Sequence, residues 1–355
     1  MFRERARPAL DRRLHGTTYH NFHFTTVNRL QSNRHRLPPA ARSMDKRNIG
    51  SLEVTVVGLG CNNFGPRLDA AATARVVHAA LDTGVNFFDT AELYGDGKSE
   101  EYLGRALEGR RHEAVIASKF GHTAYGGKAN PAYIRKAIER SLKRLRVDCI
   151  DLYQLHTPDP EVSIADTLGA LDEIVKAGKA REIGCSNFSV AHLREAAAAT
   201  PPGHARFVSV QNQYSLFHRE PERDVLLECE RTGMAFLPYF PLAYGLLTGK
   251  YRKGQPIPQG TRIANNDRYR QIVTEENLDV IERLIAFAAL RGHTLLDLAF
   301  AWLLAHKPIA SVIAGATTDA QIRANASAGR WQFLSADLAE LDAIVPELQA
   351  VGGRR

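Results

Sequence analysis

Short apolar runs alternate with longer amphipathic stretches along most of this chain. The apolar runs are rich in β-branched and aromatic residues and predict buried strands, at 54–60, 85–89, 113–118, 149–155, 182–185, 207–210, 234–238 and 311–313. The stretches between them carry apolar residues at helical spacing and predict helices, at 68–81, 99–108, 131–145, 164–177, 190–199, 222–231, 276–291 and 318–327. Eight strands, each followed by a helix, predict a closed parallel (β/α)8 TIM barrel, with a doubly wound sheet as the alternative.

Two loops bear on the choice between these α/β folds. Gly58 and Gly60 look like the start of a dinucleotide fingerprint, but G-x-G-x-x-G requires glycine where Asn63 stands. The Rossmann motif is therefore absent. The connection after the seventh strand runs from Tyr239 to about Thr274 and is rich in glycine, proline and polar residues. A loop of that length inside a compact domain usually serves function.

The two ends of the chain differ from its middle. Residues 1–43 contain nine arginines and two acidic residues, a surplus equal to the net charge of +7 for the whole chain. Residues 44–355 are therefore electrically balanced, and the charge gives no reason to predict a nucleic-acid-binding face on them. We expect 1–43 to be a disordered extension, a misread start that leaves Met44 as the beginning, or an organelle transit peptide. An extra C-terminal helix from Ser335 should pack outside the barrel formed by residues 44–355.

The composition is ordinary for a soluble globular protein, and no run of about 18 apolar residues predicts a membrane span. The four cysteines lack the spacing of a metal site, and none is predicted. We interpret them as reduced, packed thiols in the cytoplasm; they are Cys61, Cys149, Cys185 and Cys229.

Polar residues follow the predicted strands at the points where the strands end. Asp89 ends the second strand, and Tyr94 follows in a glycine-rich loop. Similar residues end the other strands, namely Asn62, Lys119, His156, Ser186, Asn187, Gln211 and Tyr239. In a parallel barrel these ends meet on one rim, which is where catalytic groups lie.

The residues at these positions resemble those of an aldo-keto reductase. The similar stretches are GLGCNNFG (58–65), FFDTAELYG (87–95), ASKFG (117–121), LHTPDP (155–160), GCSNF (184–188), QNQYS (211–215), YFPLAYGLLTGKY (239–251) and GATTDAQI (315–322). They cover nearly all of the chain after Met44, in the order in which the family has them. The resemblance implies a reductase that transfers hydride between NADP(H) and a carbonyl compound.

By this resemblance Asp89, Tyr94, Lys119 and His156 match the catalytic tetrad of the family. Tyr94 would protonate the carbonyl oxygen as hydride arrives, because negative charge develops there. A phenol is a weak acid at neutral pH, and the ammonium of Lys119 would favour its ionisation. Asp89 would hold Lys119, and His156 would hydrogen-bond the carbonyl oxygen or relay a proton.

The resemblance also implies a set of cofactor contacts. Ser186, Asn187 and Gln211 would bind the nicotinamide carboxamide, and Tyr239 would stack on its ring. The long loop would cover the pyrophosphate through Leu242, Gly245, Leu246 and Lys250.

The adenosine end is expected at the start of the helix near Thr318, where unpaired N–H groups and the helix dipole suit a phosphate. The contacts implied there are Gly315, Thr317, Gln321, Arg323 and Asn325. Some family members carry Lys in place of Gly315 and Arg in place of Gln321. We therefore expect NADP(H) to be preferred, with NAD(H) left open as a second cofactor.

The substrate is expected to be a small or medium aldehyde or ketone held by apolar walls, with Asn62, Phe64, Phe120 and Tyr125 as the candidate lining residues. The alternative from a different functional class is an NADPH-binding regulatory or sensor subunit with little turnover, similar to the potassium-channel β-subunits of the same family. An intact tetrad is compatible with either.

Overall fold

The structure is a computed structural model that describes residues 44–333 and 335–345. The expected basic extension, residues 1–43, lies outside the described residues. Eight parallel strands form one sheet. They are β3 Val57–Gly60, β4 Phe87–Asp89, β5 Val115–Phe120, β6 Ile150–Leu155, β7 Ala180–Ser186, β8 Phe207–Gln213, β9 Ala235–Tyr239 and β10 Val312–Gly315. Their order in the sheet is β10-β3-β4-β5-β6-β7-β8-β9.

The sheet closes into a barrel at its two outer strands. β10 pairs in parallel with β3. On its other side, the segment just before β10 bridges to β9: Phe236 N donates to Pro308 O at 2.7 Å, and Ala310 N donates to Phe236 O at 3.1 Å. The predicted (β/α)8 barrel is confirmed, and the doubly wound alternative is wrong.

Helices surround the barrel, and most begin at a side-chain cap. Asn130 Oδ1 accepts from Tyr133 N at 2.9 Å, with Pro131 in the first turn, so this helix begins where the Asn-Pro pair predicts. The helices are α1 Ala70–Asp82, α2 Lys98–Ala106, α3 Pro131–Leu145, α4 Ile164–Lys176, α5 Val190–Ala199, α6 Val225–Thr232, α7 Asp267–Arg270, α8 Glu275–Leu290, α9 Leu295–Leu304, α10 Asp319–Ala328 and α11 Ser335–Ile344.

A hairpin precedes the barrel and overlaps only the start of the first predicted strand, 54–60. β1 Lys46–Ile49 and β2 Leu52–Thr55 pair antiparallel, and the chain then enters β3. Ile49, Leu52 and Val54 belong to one buried cluster with inward-facing barrel residues such as Phe87 and Leu152. The hairpin thus adds apolar side chains to the interior of the barrel. The prediction missed β1 because its residues are mostly polar, and it merged β2 with β3 because the apolar run is continuous through Val56, which separates the two strands.

The sequence prediction also missed α9. Its side chains are apolar on nearly every face, and Leu298, Phe300 and Leu303 are fully buried. A helix buried on all sides lacks the amphipathic period that identifies a surface helix.

The extra C-terminal helix, α11, packs on α8, outside the barrel as predicted. Arg291 at the end of α8 pairs with Asp337 at 2.8 Å and with Glu340 at 2.6 Å. Within the described residues no single helix is long and apolar enough to cross a membrane; α8 and α9 reach that length only together, and they meet at 86°.

Two helical glycines allow a matched test of how tightly the helix layer is packed. A methyl group on Gly104 of α2 would lie 2.4 Å from Leu145 O at the end of α3, whereas one on Gly169 of α4 would meet nothing within 4 Å. We expect G104A to lower the free energy of unfolding by about 1–3 kcal/mol, because a backbone oxygen cannot move aside. G169A, at an exposed site, should raise it by about 0.5–1 kcal/mol. Urea unfolding measures both, and effects of the same sign would contradict this packing.

Candidate active site

A cavity of about 1040 Å³ opens at the end of the barrel where the strands finish. Residues at the ends of β3, β4, β7, β8, β9 and β10 line it. The loops after β5 and β6, the long loop after β9 and the start of α10 also contribute. Most of the residues expected at a site line this cavity. They are Asn62, Asp89, Tyr94, Tyr125, His156, Ser186, Asn187, Gln211, Tyr239, Leu242, Gly245, Lys250, Gly315, Thr317, Gln321 and Asn325.

Asp89, Lys119 and Tyr94 form a hydrogen-bonded group at the cavity floor, and Lys119 is the member that does not line the cavity. Lys119 is fully buried at the end of β5, and its Nζ donates to Asp89 Oδ2 at 2.6 Å, to Thr90 O at 2.9 Å and to Tyr94 Oη at 3.3 Å. These three contacts use the three N–H bonds of the ammonium. Tyr94 accepts from Lys119, so its own O–H is left to donate elsewhere.

The loop that carries Tyr94 depends on a close approach of two backbones. Gly95 has φ +60°, and a methyl group there would lie 2.9 Å from Pro66 Cδ and 3.2 Å from Phe64 O. Only glycine tolerates both constraints. The loop is also fixed behind Tyr94, where Ser99 Oγ donates to Cys61 O at 2.9 Å. Contacts with the loop after β3 thus set the position of the phenol.

Burial and the neighbouring charges act in opposite directions on these groups. Burial raises the pKa of Tyr94 above that of a free phenol, and the nearby Lys119 charge opposes this shift without cancelling it. Burial acts against the charge of Lys119, but the carboxylate of Asp89 and the phenol of Tyr94 outweigh it, and the pKa of Lys119 is raised. At neutral pH the pair is therefore Lys119 ammonium beside a protonated Tyr94.

His156 lies across from Tyr94, with a ring-centroid distance of 6.0 Å and the rings nearly perpendicular. Burial, then the charges of Lys119 and His122, hold the pKa of His156 well below its usual range, so the imidazole is neutral. Its Nδ1 is buried and has no hydrogen-bond partner among the described residues. A neutral imidazole here can hydrogen-bond a ligand atom without adding charge.

Ser186, Asn187, Gln211 and Tyr239 form a second hydrogen-bonded group beside His156. Ser186 Oγ donates to Gln211 O at 2.7 Å, and Tyr239 Oη donates to Asn187 Oδ1 at 2.9 Å. Asn187 has φ +62°, a left-handed conformation that asparagine adopts more readily than most residues, and its Nδ2 donates to His156 O at 2.9 Å. The side chains predicted to contact one ligand group are thus adjacent.

Four cations line the cavity at the long loop and at the loop after β3, and only Lys250 was anticipated from the sequence. The others are Arg67, Arg262 and Arg268. Arg262 donates to Asn62 Oδ1 at 3.2 Å and to Asn63 Oδ1 at 3.0 Å. Burial lowers the pKa of Lys250, and repulsion by Arg67 and Arg262 lowers it further.

None of these four cations forms an ion pair with another described residue. Asp89 is the only carboxylate among the described residues that line the cavity.

The first turn of α10 forms the far end of the cavity. Thr318 caps this helix, and Thr317 N donates to Gln321 Oε1 at 2.8 Å. Asn325 is nearly buried, and its Nδ2 has no partner among the described residues. Arg323 does not line the cavity. It is exposed, because helical geometry turns residue 323 away from the face shared by 321, 324 and 325.

Three other expectations differ from the structure. Phe64, Phe120 and Leu246 are fully buried in the main hydrophobic core and do not line the cavity. Successive side chains of a strand face opposite ways. Lys119 therefore points inward, while Phe120 points outward and stacks on Tyr153 at 4.7 Å. Strand alternation identifies this orientation from sequence once the register of Lys119 is known.

Aromatic and histidine side chains that the sequence did not single out complete the wall. His122 lies 4.7 Å from His156, and Tyr244 stacks on Tyr269 at 4.3 Å, all centroid to centroid. Tyr125, which the sequence did single out, is at the mouth, with 74% of its surface exposed. No group of three or more potential metal ligands occurs in the described ranges.

The buried ion pair predicts a strong coupling between its two members. We expect D89N and K119M each to lower the free energy of unfolding by about 3–5 kcal/mol, because each leaves its partner buried and uncompensated. The double variant should lose much less than the sum. Urea unfolding measures the cycle, and strictly additive losses would contradict it. The exposed pair Lys46–Glu53, 2.6 Å apart, is the control, since K46M should change stability little.

The chain is similar to known proteins over most of its length. The sequence model of the aldo/keto reductase family matches residues 56–346. The aldo-keto reductase yakc [NADP(+)] of Schizosaccharomyces pombe is 34% identical over 327 residues, which is 88% of this chain and 94% of the relative. The aldo-keto reductase YhdN of Bacillus subtilis is 34% identical over 309 residues, 83% and 91% of the two chains.

Solved structures show the same similarity. The glycerol dehydrogenase AKR11B4 from Gluconobacter oxydans superposes with a TM-score of 0.75 at 29% identity, over 88% of this chain and 98% of the other. An aldo-keto reductase from Klebsiella pneumoniae in complex with NADPH superposes with a TM-score of 0.68 at 28% identity, over 86% and 95%.

Proposed function

The chain belongs to the aldo/keto reductase family and is an oxidoreductase, and from that premise we propose that it reduces an aldehyde or ketone to the alcohol with NADPH. The single observation that carries the proposal is the buried contact of Lys119 Nζ with both Asp89 and Tyr94 Oη. It leaves a protonated phenol with its O–H available to the cavity, beside a neutral imidazole.

The cavity residues fit an anionic dinucleotide. Arg67, Lys250, Arg262 and Arg268 carry charges that no carboxylate of the described residues neutralises, and phosphate groups would supply the missing counter-charge. Asn325 Nδ2, buried and unpartnered, would hydrogen-bond an acceptor at the adenine end. Ser186, Asn187 and Gln211 would hold the carboxamide, with Tyr239 against the ring.

When bound, the nicotinamide supplies the hydride. The chain has to place a carbonyl carbon against it and protonate the oxygen. A carbonyl oxygen between Tyr94 and His156 would accept from both, and the phenolic proton would pass to it as negative charge develops. The positive charge of Lys119 stabilises the phenolate that remains. His156 orients the oxygen and, being neutral, does not compete as an acid.

Preference for NADP(H) is supported by the relative named for NADP(+) and by the similar structure bound to NADPH. The start of α10 offers N–H groups for the 2′-phosphate. It lacks the added cations at Gly315 and Gln321, and Arg323 faces away from the cavity. We therefore propose a preference for NADP(H) that leaves measurable use of NAD(H).

The direct test is nucleotide binding by fluorescence on the purified chain, with NADPH and NADH in parallel. A panel of aldehydes, ketones and quinones is then added, and nucleotide consumption is followed. Tight NADPH binding with turnover supports the proposal. Binding without consumption would favour a regulatory or sensor subunit, and no binding of either nucleotide would refute the proposed cofactor.

Replacing the proton donor should separate chemistry from binding. We expect Y94F to lower kcat by at least about 10³-fold, since a general acid contributes about 10²–10⁴, while the Kd for NADPH stays within a few fold. Stopped-flow turnover and fluorescence titration measure the two quantities. Near-normal turnover in Y94F would refute this role for Tyr94.

The pH profile of reduction follows from the same group. Reduction requires the protonated phenol, and the pKa of Tyr94 is raised. The rate should therefore be level through neutral pH and fall only as the pH rises through that alkaline pKa. K119M removes the charge that lowers this pKa, so its fall should occur at higher pH. A fall at lower pH in K119M would contradict the assignment.

The cavity cations should act on affinity rather than on chemistry. We expect K250M to weaken NADPH binding about tenfold and to reduce its salt dependence, because one charge-assisted contact to phosphate is lost. The control is K253M, in the same loop, since Lys253 instead pairs with Asp279 at 2.5 Å. K250M should unfold at the same or a higher temperature, because it relieves repulsion with Arg67 and Arg262. Equal losses of affinity in both variants would contradict a phosphate contact by Lys250.

A further inference from the structure

Gln154 is a fully buried polar side chain inside the barrel with no role in the reaction described above. It lies on β6, in register with Lys119 on β5 and with Gly184 on β7. The absence of a side chain at Gly184 makes room for it, since a methyl group there would lie 3.3 Å from Gln154 Cγ and 2.5 Å from Ser209 Oγ. Buried amides are costly unless they are hydrogen-bonded, so its partners indicate its purpose.

Those partners are the groups that position the proton donor and the nicotinamide contact. Gln154 Nε2 donates to Asp89 Oδ1 at 3.2 Å. Gln211 Nε2 donates to the same oxygen at 3.0 Å and to Gln154 Oε1 at 3.4 Å. The other oxygen of Asp89 is held by Lys119. Gln154 therefore contacts both the carboxylate of Asp89, which pairs with Lys119, and the amide of Gln211, which faces the cavity.

This arrangement fixes which way the Gln211 amide points. Both hydrogens of its Nε2 are used on the inner side, by Asp89 and by Gln154. The reverse orientation would set the carbonyl oxygen of Gln211 against a carboxylate and against another carbonyl oxygen. Gln211 consequently offers the cavity an acceptor, which matches the N–H₂ group of a nicotinamide carboxamide.

We propose that Gln154 is a positioning residue for hydride transfer: it orients the Gln211 amide toward the nicotinamide and shares the charge of Asp89, so that Lys119 stays directed at Tyr94. The inference rests on the proposed function. Gln154 touches no reacting atom and acts through Asp89 and Gln211. The ionisable groups facing this network are Asp89 and Lys119, with Tyr94, His156 and Cys61 beyond them.

Gln154→Leu removes the donor and the acceptor at nearly constant volume. We expect kcat to fall at least about tenfold and NADPH binding to weaken severalfold. Adenosine 2′,5′-bisphosphate, which has no nicotinamide ring, should bind as it does to the wild type, and this also shows that the variant is folded. Tyr153→Phe, on the opposite face of β6, is the control and should change none of these quantities.

Gln154→Glu provides a signature that loss of packing would not produce. The introduced carboxyl has the shape of the amide and, while protonated, can still donate to Asp89 Oδ1. Burial and the adjacent carboxylate raise its pKa, so it loses that proton as the pH rises. We expect kcat relative to wild type to be near normal at about pH 6 and about tenfold lower by about pH 8.

The outcomes separate this inference from the proposed function. If the wild type turns over and both Gln154 variants match it, or if the Gln154→Glu deficit does not depend on pH, the inference is overturned alone. If Tyr153→Phe loses as much as Gln154→Leu, the effect is general packing and the inference is again overturned. A wild type that binds neither NADPH nor NADH overturns the proposed function, and the inference with it.

Discussion

The ion pair between Asp89 and Lys119, closed off from water, is the constraint on which the site depends. A buried ammonium is tolerable only with an opposite charge and with all of its hydrogens bonded. Asp89, Thr90 O and Tyr94 Oη satisfy this requirement together. The phenol is therefore part of what makes the ammonium stable, and its position is set by the folding of the barrel.

The surroundings of this pair divide the cavity into a part without net charge and a part with net positive charge. Near Tyr94 the charges of Lys119 and Asp89 offset each other, and burial keeps the phenol protonated and His156 neutral. Toward the long loop, Lys250 and Arg262 lie without carboxylate partners. A low-dielectric corner strengthens the interactions that act on a developing oxyanion. The unpaired cations favour an anionic ligand at some cost in repulsion, as expected where function rather than stability determines the residues.

The parts of this account that could be read from the sequence are those set by local pattern. Asp89, Lys119 and His156 are predictable because each stands where a predicted strand ends. The barrel topology places those ends on one rim. The hairpin β1–β2 escaped prediction because β1 is mostly polar and because the apolar run continues from β2 into β3. Helix α9 escaped it because burial on all sides leaves no helical period to detect. Phe120 does not line the pocket, because it follows the inward-facing Lys119 on the same strand and so points into the outer core. The cations Arg67 and Arg262 could not be placed, because only the folded loop shows which of its charges face the cavity.

The measurement that tests the central claim most directly is the fate of deuterium during turnover by the purified chain, with both C4 hydrogens of the reduced nicotinamide replaced by deuterium. If the cavity aligns cofactor and carbonyl while Tyr94 supplies only a proton, the label is retained at the carbinol carbon of the alcohol, and the hydroxyl proton comes from water through the phenol. Mass spectrometry of the product would show one deuterium on carbon for each turnover. Release of the label to solvent, or product without deuterium, would contradict direct hydride transfer at this site.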